Sequence, residues 1–254
     1  MKIAVSGKGG SGKSTLSVLM ARSFKKLGYR VLLVDADESN VGLETLAGVA
    51  PPPLHLLDFL GGKKGFKQKL NQSLSLDNPA GIFSGKQAIK DLPEECVAPS
   101  DGINFLIIGK IHDFGEGCAC PIGVLSKKFL ASLETGADEV VIIDTEAGVE
   151  HFGRGMEAEC DRILGVIDPT AESFRLAAKM QAMAAAAGKD IGFVLNKVEP
   201  SIEHVMRAQL DSAAILGAIP KDDGIFMESL KGAPLTRSLP ELDAICRKIS
   251  ESQQ

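Results

Sequence analysis

Three apolar residues, Ile3, Ala4 and Val5, run straight into Gly7-Lys8-Gly9-Gly10-Ser11-Gly12-Lys13-Ser14-Thr15, and an apolar helical periodicity begins directly afterwards. A strand, a glycine-rich turn and a helix start in that order constrain the chain more than any other stretch, because the spacing G-x-x-x-x-G-K-S is that of a phosphate cradle. Gly9, Gly10 and Gly12 leave backbone N–H groups free to curl around an anion that side chains would otherwise block. Lys13 is placed to reach the β- and γ-phosphates and the Ser14 hydroxyl to meet magnesium, while the helix aims its positive end at the same anion. The candidate nucleotide-binding set is Gly9, Gly10, Ser11, Gly12, Lys13, Ser14 and Thr15.

The rest of the chain repeats the alternation that begins there. Leu16, Leu19, Met20 and Phe24 have helical spacing, with Gly28 as a stop, and Arg30–Asp35 reads as a buried parallel strand, completing a βαβ unit. That strand ends in Asp35-Ala36-Asp37, which brings two carboxylates to the sheet edge that holds the cradle, where ligands of open α/β sheets bind. Further strands are predicted at Asn104–Gly109, Glu139–Asp144, Arg162–Asp168, Ile191–Leu195 and Ala213–Ile219, with helices at Ala171–Gly188 and Leu239–Ile249. We expect an α/β fold over residues 1–254: one domain with a mostly parallel central sheet and helices on both faces. Asp144, closing a hydrophobic strand, is placed as the magnesium-side carboxylate of phosphate-loop enzymes. Residues 50–101 are less patterned: loops, a GGKKG turn, and a short helix through Leu54, Leu57, Phe59 and Leu60. Lys63, Lys64, Lys67 and Lys69 follow, either as a solvated face or as a docking patch for an acidic partner.

Composition excludes several functions. In 254 residues, 44% are hydrophobic, enough for a full core, and the net charge of −5 argues against a basic nucleic-acid footprint. No apolar run approaches the ~20 residues needed to span a bilayer, so no membrane role is expected. With strand and cradle already at the N-terminus there is no room for a cleaved leader, and we expect a cytoplasmic protein.

Five cysteines in a reducing compartment do not suggest a disulfide framework. Cys96 reads as structural or incidental, Cys160 as buried, and Cys246 lies in the last helix, their roles left open; Met180 and Met183, at i and i+3 on an apolar helix, read as core. Cys118 and Cys120 differ, because they lie one residue apart on a glycine-bounded loop before a helix starting near Ile122. A disulfide at that spacing would be strained, and two thiolates alone cannot complete a tetrahedral site. Two symmetric copies supply four, a set suited to a soft or borderline ion; two small residues in a tight turn is the other reading. His112 is either a further ligand or simply hydrogen-bonded.

Lys8, in K-G-G-x-G-K-S, is a second lysine that an ordinary phosphate loop does not need. The motif resembles that of the deviant P-loop ATPases typified by MinD, ParA and the nitrogenase iron protein. The resemblance implies a homodimer gated by nucleotide, with Lys8 supplying charge to the partner's phosphates much as an arginine finger does. It further implies that Asp37 orients the attacking water and that Asp35 assists near magnesium. Gly148 would read the γ-phosphate, and Asn196 and Lys197, with Pro220, would sit on the base side. Glu199 stands where guanine readers carry aspartate, so ATP is the expected nucleotide.

The string Asp144 to Gly155, DTEAGVEHFGRG, taken with the upstream C-x-C, is similar to the CooC-type ATPases that assist nickel insertion into carbon monoxide dehydrogenase, and to relatives serving acetyl-CoA synthase. This resemblance implies an ATP-hydrolysing metallochaperone with nickel, or zinc, held by paired Cys118 and Cys120 at the dimer interface. Glu150, His151 and Arg154 would be interface groups or a salt-linked helix start. An iron–sulfur electron-transfer ATPase and a metal-free positioning ATPase are the alternatives from other classes.

Overall fold

A computed structural model describes residues 1–73, 83, 85–111, 120–149 and 155–252. The strands are β1 (Lys2–Gly7), β2 (Arg30–Asp35), β3 (Gln87–Ala88), β4 (Ala98–Ser100), β5 (Ile103–Ile107), β6 (Leu133–Glu134), β7 (Glu139–Asp144), β8 (Arg162–Ile167), β9 (Ile191–Val198) and β10 (Ile215–Pro220). The helices are α1 (Lys13–Lys26), α2 (Leu43–Ala47), α3 (Leu56–Phe59), α4 (Gly62–Ser73), α5 (Cys120–Ser132), α6 (Ala171–Ala186), α7 (Glu203–Ala208), α8 (Asp223–Leu230) and α9 (Pro240–Glu251). Eight strands form one sheet in the order β10-β9-β8-β1-β7-β2-β5-β4, parallel throughout except where β4 pairs antiparallel with β5 at the edge.

Side-chain alternation along the central strands accounts for helices on both faces. Ile3 and Val5, Val31 and Leu33, and Val140 and Ile142 pack in one cluster with Leu16, Met20 and Phe24 of α1 and Ile245 and Ile249 of α9. Their neighbours Ala4, Leu32, Leu106, Val141 and Ile143 point the other way, onto Ile122, Leu125 and Phe129 of α5 and Leu56 of α3. A third cluster seats Ala177 and Met180 of α6 on Phe193 and Leu195 of β9. Each fully buried Leu, Ile or Phe contributes about 1.5–3 kcal/mol, so this two-sided burial is what holds the strand ends, and the loops leaving them, in place.

The structure departs from the sequence reading in places where local signals are weak. The lysine-rich stretch after Leu60 is the helix α4, with Phe66 buried and Lys63, Lys64, Lys67 and Lys69 along it. In the short helix before it, Leu56, Leu57 and Leu60 are buried, whereas Leu54 and Phe59 are exposed. The edge strand β4 and the two-residue parallel pair β3–β6 have no counterpart in the expected strands. Cys96, Cys160 and Cys246 are buried free thiols. No helix among the described residues is long and apolar enough to cross a membrane.

Candidate functional site

The carboxyl ends of β1, β2, β7 and β9 converge on the turn between β1 and α1. Gly12, the N-cap of α1, has φ +100°, and a Cβ there would collide with the Asn196 side-chain amide, so the turn closes only with glycine at that position. Asn196 Nδ2 donates to Ser11 O at 2.8 Å, and Lys197, itself in the left-handed backbone region at φ 57°, donates from Nζ to Gly10 O at 2.7 Å. Two consecutive residues at the end of β9 thereby hold the cradle from one side. Gly148 closes the other side, its N–H donating to Gly7 O at 3.0 Å.

Lys13 is buried and its Nζ donates to Lys8 O at 3.4 Å. Burial lowers its pKa, and the nearby carboxylates of Asp144 and Asp37 work against that. The Ser11 hydroxyl is buried with no hydrogen-bond partner among the described residues. An orphaned buried hydroxyl and a desolvated cation in one turn are groups that fit an anion.

The acidic side of the site is built around Asp144, which is fully buried at the end of β7. Ser14 Oγ donates to its Oδ2 at 2.7 Å and Ser17 Oγ to its Oδ1 at 3.2 Å. The Asn40 side-chain amide donates to both Ser14 Oγ (3.1 Å) and Asp144 Oδ2 (3.3 Å). Burial pushes the Asp144 carboxyl up to about 6, and the Ser14 bond and the Lys13 charge hold it from rising further. Asp37 Oδ1 accepts from the backbone N–H and hydroxyl of Ser39 and from the Asn40 N–H, an Asx-type turn that fixes residues 37–40 over Ser14.

Asp35, expected beside magnesium, is engaged elsewhere. Its Oδ2 lies 2.7 Å from Lys110 Nζ, its Oδ1 accepts the Asp37 N–H, and burial raises the carboxyl to about 7 against the pull of that lysine. Lys8 points back into its own chain, 3.3 Å from Asp168 Oδ2 and 4.0 Å from Glu172 Oε2. A cavity of about 500 Å³ opens beside the cradle, between Thr15, Leu19, Asn196, Pro220, Ile225 and Phe226. Its apolar wall suits a flat base.

Lys110, Asn40, Ser17 and Asp168 were not among the site residues expected from sequence; nothing in their local spacing marks them. Cys118, His112, Glu150, His151 and Arg154 lie outside the described residues, and Cys120 is the first residue of α5. Among the described residues, no group of three or more His, Cys, Asp or Glu is arranged to hold a metal ion.

A glycine cradle between strand and helix, with a buried aspartate at the end of the neighbouring parallel strand, defines a P-loop nucleotide site. The CobQ/CobB/MinD/ParA nucleotide-binding domain model matches residues 2–235; the chain belongs to that family and is a P-loop ATPase. It is 43% identical over 242 residues, 95% of this chain and 96% of the relative, to an uncharacterised ATP-binding protein of Methanocaldococcus jannaschii. It is 34% identical over 249 residues, 97% of this chain and 92% of the relative, to the carbon monoxide dehydrogenase accessory protein CooC of Rhodospirillum rubrum. Its fold is similar to that of the septum site-determining protein MinD complexed with Mg-ADP from Pyrococcus horikoshii, with a TM-score of 0.69 over 99% of this chain and 96% of that one at 19% identity.

Proposed function

We propose that the chain is a nucleotide-gated homodimeric ATPase that carries nickel on Cys118 and Cys120 and assists its insertion into carbon monoxide dehydrogenase or acetyl-CoA synthase. The observation that carries this reading is the 34% identity, over nearly the full length of both chains, to a carbon monoxide dehydrogenase accessory protein, joined to a C-x-C pair that the ATPase site itself does not require. Nickel is the cargo here and thiolates suit it. Four thiolates from two copies complete a site that one copy cannot.

In this account the N–H groups of residues 9–14 bind the phosphates, Lys13 neutralises the β- and γ-oxygens, and Asn196, Lys197 and Pro220 border the base. Asp37 orients the attacking water and accepts its proton. Lys8 leaves Asp168 and reaches the partner's phosphates. Ser14 and Asp144 offer a hydroxyl and a carboxylate, oxygen donors that fit a hard divalent cation; Asp35, already paired with Lys110, is not in that set. Magnesium bound there would screen charge on the phosphates. Gly148 exchanges its bond to Gly7 O for the γ-phosphate and gives it up again after hydrolysis.

The test is client activation. The nickel-loaded protein with ATP is expected to restore activity to nickel-free carbon monoxide dehydrogenase or acetyl-CoA synthase, and the Cys118→Ala/Cys120→Ala variant, with its ATP-binding site intact, is expected to fail. Equal activation by the variant would contradict the cargo role of the pair.

A further inference from the structure

Helix α4 carries Lys63, Lys64, Lys67 and Lys69 and no acidic residue, in a chain whose net charge is −5. The placement of those lysines works against the helix itself. Lys63 and Lys64 stand in its first turn, where the helix dipole disfavours a cation, and Lys63 and Lys67 are a like-charged pair four positions apart. Lys64, Lys67 and Lys69 are exposed, and none of the three forms an ion pair with a described residue. A solvated helix face ordinarily mixes both signs of charge at helical spacing, so four lysines without one acid leave a positive surface that the described part of the chain does not neutralise.

Beneath that surface lies apolar ground. Helix α4 packs against α5, and a groove of about 370 Å³ opens between them. Phe66, only 2% exposed, and Leu70, one helical turn further on, form its floor. Pro121 and Val124 of α5 form its wall, with Val124 37% exposed, and Lys63, Lys64 and Lys67 stand at the rim. The exposed side chains of α4 are Lys64, Lys67, Gln68, Lys69 and Asn71, none of them apolar, so this helix has nothing to insert into a bilayer. A nucleic-acid backbone would neutralise the lysines and leave the apolar floor unfilled. A polypeptide that sets apolar side chains between carboxylates satisfies both parts of the surface, with an apolar centre and a charged rim.

We propose that the groove between α4 and α5 is a docking site for an acidic segment of a partner protein, which seats apolar side chains on Phe66, Leu70 and Val124 and pairs its carboxylates with Lys64 and Lys67. The site adds a partner surface to the ATPase. It does not depend on what the cysteine pair carries, so failure of the chain to bind nickel leaves it standing.

The experiment is fluorescence anisotropy of a labelled probe peptide, two leucines flanked on each side by three glutamates, titrated with the full chain. Saturable binding that weakens as salt is raised is expected. Exchanging the leucines for serines, or the glutamates for glutamines, should weaken it at least about tenfold, because floor and rim each supply part of the affinity. Lys64→Glu/Lys67→Glu, which reverses two rim charges, should weaken it at least about tenfold, and Val124→Asp, which sets a carboxylate in the wall, should do the same. Both variants change exposed side chains outside the nucleotide site, and unchanged ATP turnover shows that they are folded. Absence of binding by the natural chain, or binding that neither variant weakens, overturns the proposal. Sedimentation with anionic phospholipid vesicles, or retention of duplex DNA, that is lost in Lys64→Glu/Lys67→Glu and is not displaced by the peptide assigns the lysines to those surfaces and overturns it too. Self-association of the chain that is lost in the same variant makes a second copy the occupant, with the same consequence.

Discussion

Lys8 Nζ lies 3.3 Å from Asp168 Oδ2 within one chain, and the Asp168 carboxylate is also held by the hydroxyls of Ser173 and Thr170. Burial opposes ionisation of Asp168, and the bonds from Ser173, Thr170 and Lys8 outweigh it, so the carboxyl sits below its ordinary value and stays charged at neutral pH. On the proposed reading, in which Lys8 serves a partner's phosphates, this pair retains the lysine on its own chain until a dimer forms. Asp168→Asn keeps an acceptor for Ser173 and Thr170 but leaves Lys8 only the exposed Glu172 carboxylate, 4.0 Å away. Partly exposed pairs are worth up to about 1 kcal/mol. The variant should dimerise with a non-hydrolysable ATP analogue at about two- to fivefold lower protein concentration, measured by sedimentation; no change, or weaker dimerisation, would show that Lys8 is not restrained in this way.

Asn40 donates to Ser14 Oγ and Asp144 Oδ2, the oxygens that would face magnesium on the proposed reading, and there it would compete with the cation. Asn40→Ala should lower the magnesium concentration for half-maximal nucleotide binding by about fivefold, the value of roughly one net hydrogen bond. Titration of magnesium against a fluorescent ATP analogue reads this directly, and a higher requirement would mean that Asn40 assists the cation.

Lys13→Ala should abolish nucleotide binding or turnover. Asp37→Ala should bind ATP within about threefold of the natural chain and lose about 100-fold or more in kcat, the usual cost of removing one well-placed group from the reacting centre. Normal hydrolysis by Asp37→Ala would refute its role with the attacking water.

Stability should fall as pH rises across the range set by two raised carboxyls. Asp35 titrates at about 7 and Asp144 at about 6 in the fold, against 3.8 for an unperturbed side chain. Between about pH 4 and pH 7 the folded chain thus holds more protons than the unfolded chain, and the slope of unfolding free energy with pH is negative. Asp101, Asp138, Asp168 and Asp243 shift the other way and act below about pH 4, outside that window. Urea midpoints of the nucleotide-free protein should be lower at pH 7.5 than at pH 5, and Asp35→Asn should flatten the difference. An equal slope in the variant would contradict the assignment.

The frame of this molecule was legible because its signals are local. Ile3 to Val5, Arg30 to Asp35 and Glu139 to Asp144 are apolar runs long enough for strands buried on both faces, and the cradle at Gly7 to Ser14 is written in consecutive residues. The edge strand Ala98–Ser100 is three residues with Pro99 at its centre, a composition that propensity counts against a strand and that only an edge position tolerates. Helix α8 was missed because its start signal, the Asp222 side chain accepting from Ile225 N–H, is a single cap following a proline. In the site, Asp37 and Asp144 announced themselves at strand ends. Lys110 and Asn40 did not, because their partners lie 75 and 104 positions away and no spacing rule brings them together.

The central claim is that one chain couples an ATP site to a metal carried between two copies. Equilibrium nickel binding to the anaerobically purified protein tests it most directly, with oligomeric mass recorded on the same samples, with and without ATP and magnesium, beside Cys118→Ala/Cys120→Ala. The account predicts one nickel per dimer, an affinity altered by ATP, and loss of the metal in the variant. Nickel binding that persists in the variant, or that is absent from the natural chain, would contradict it.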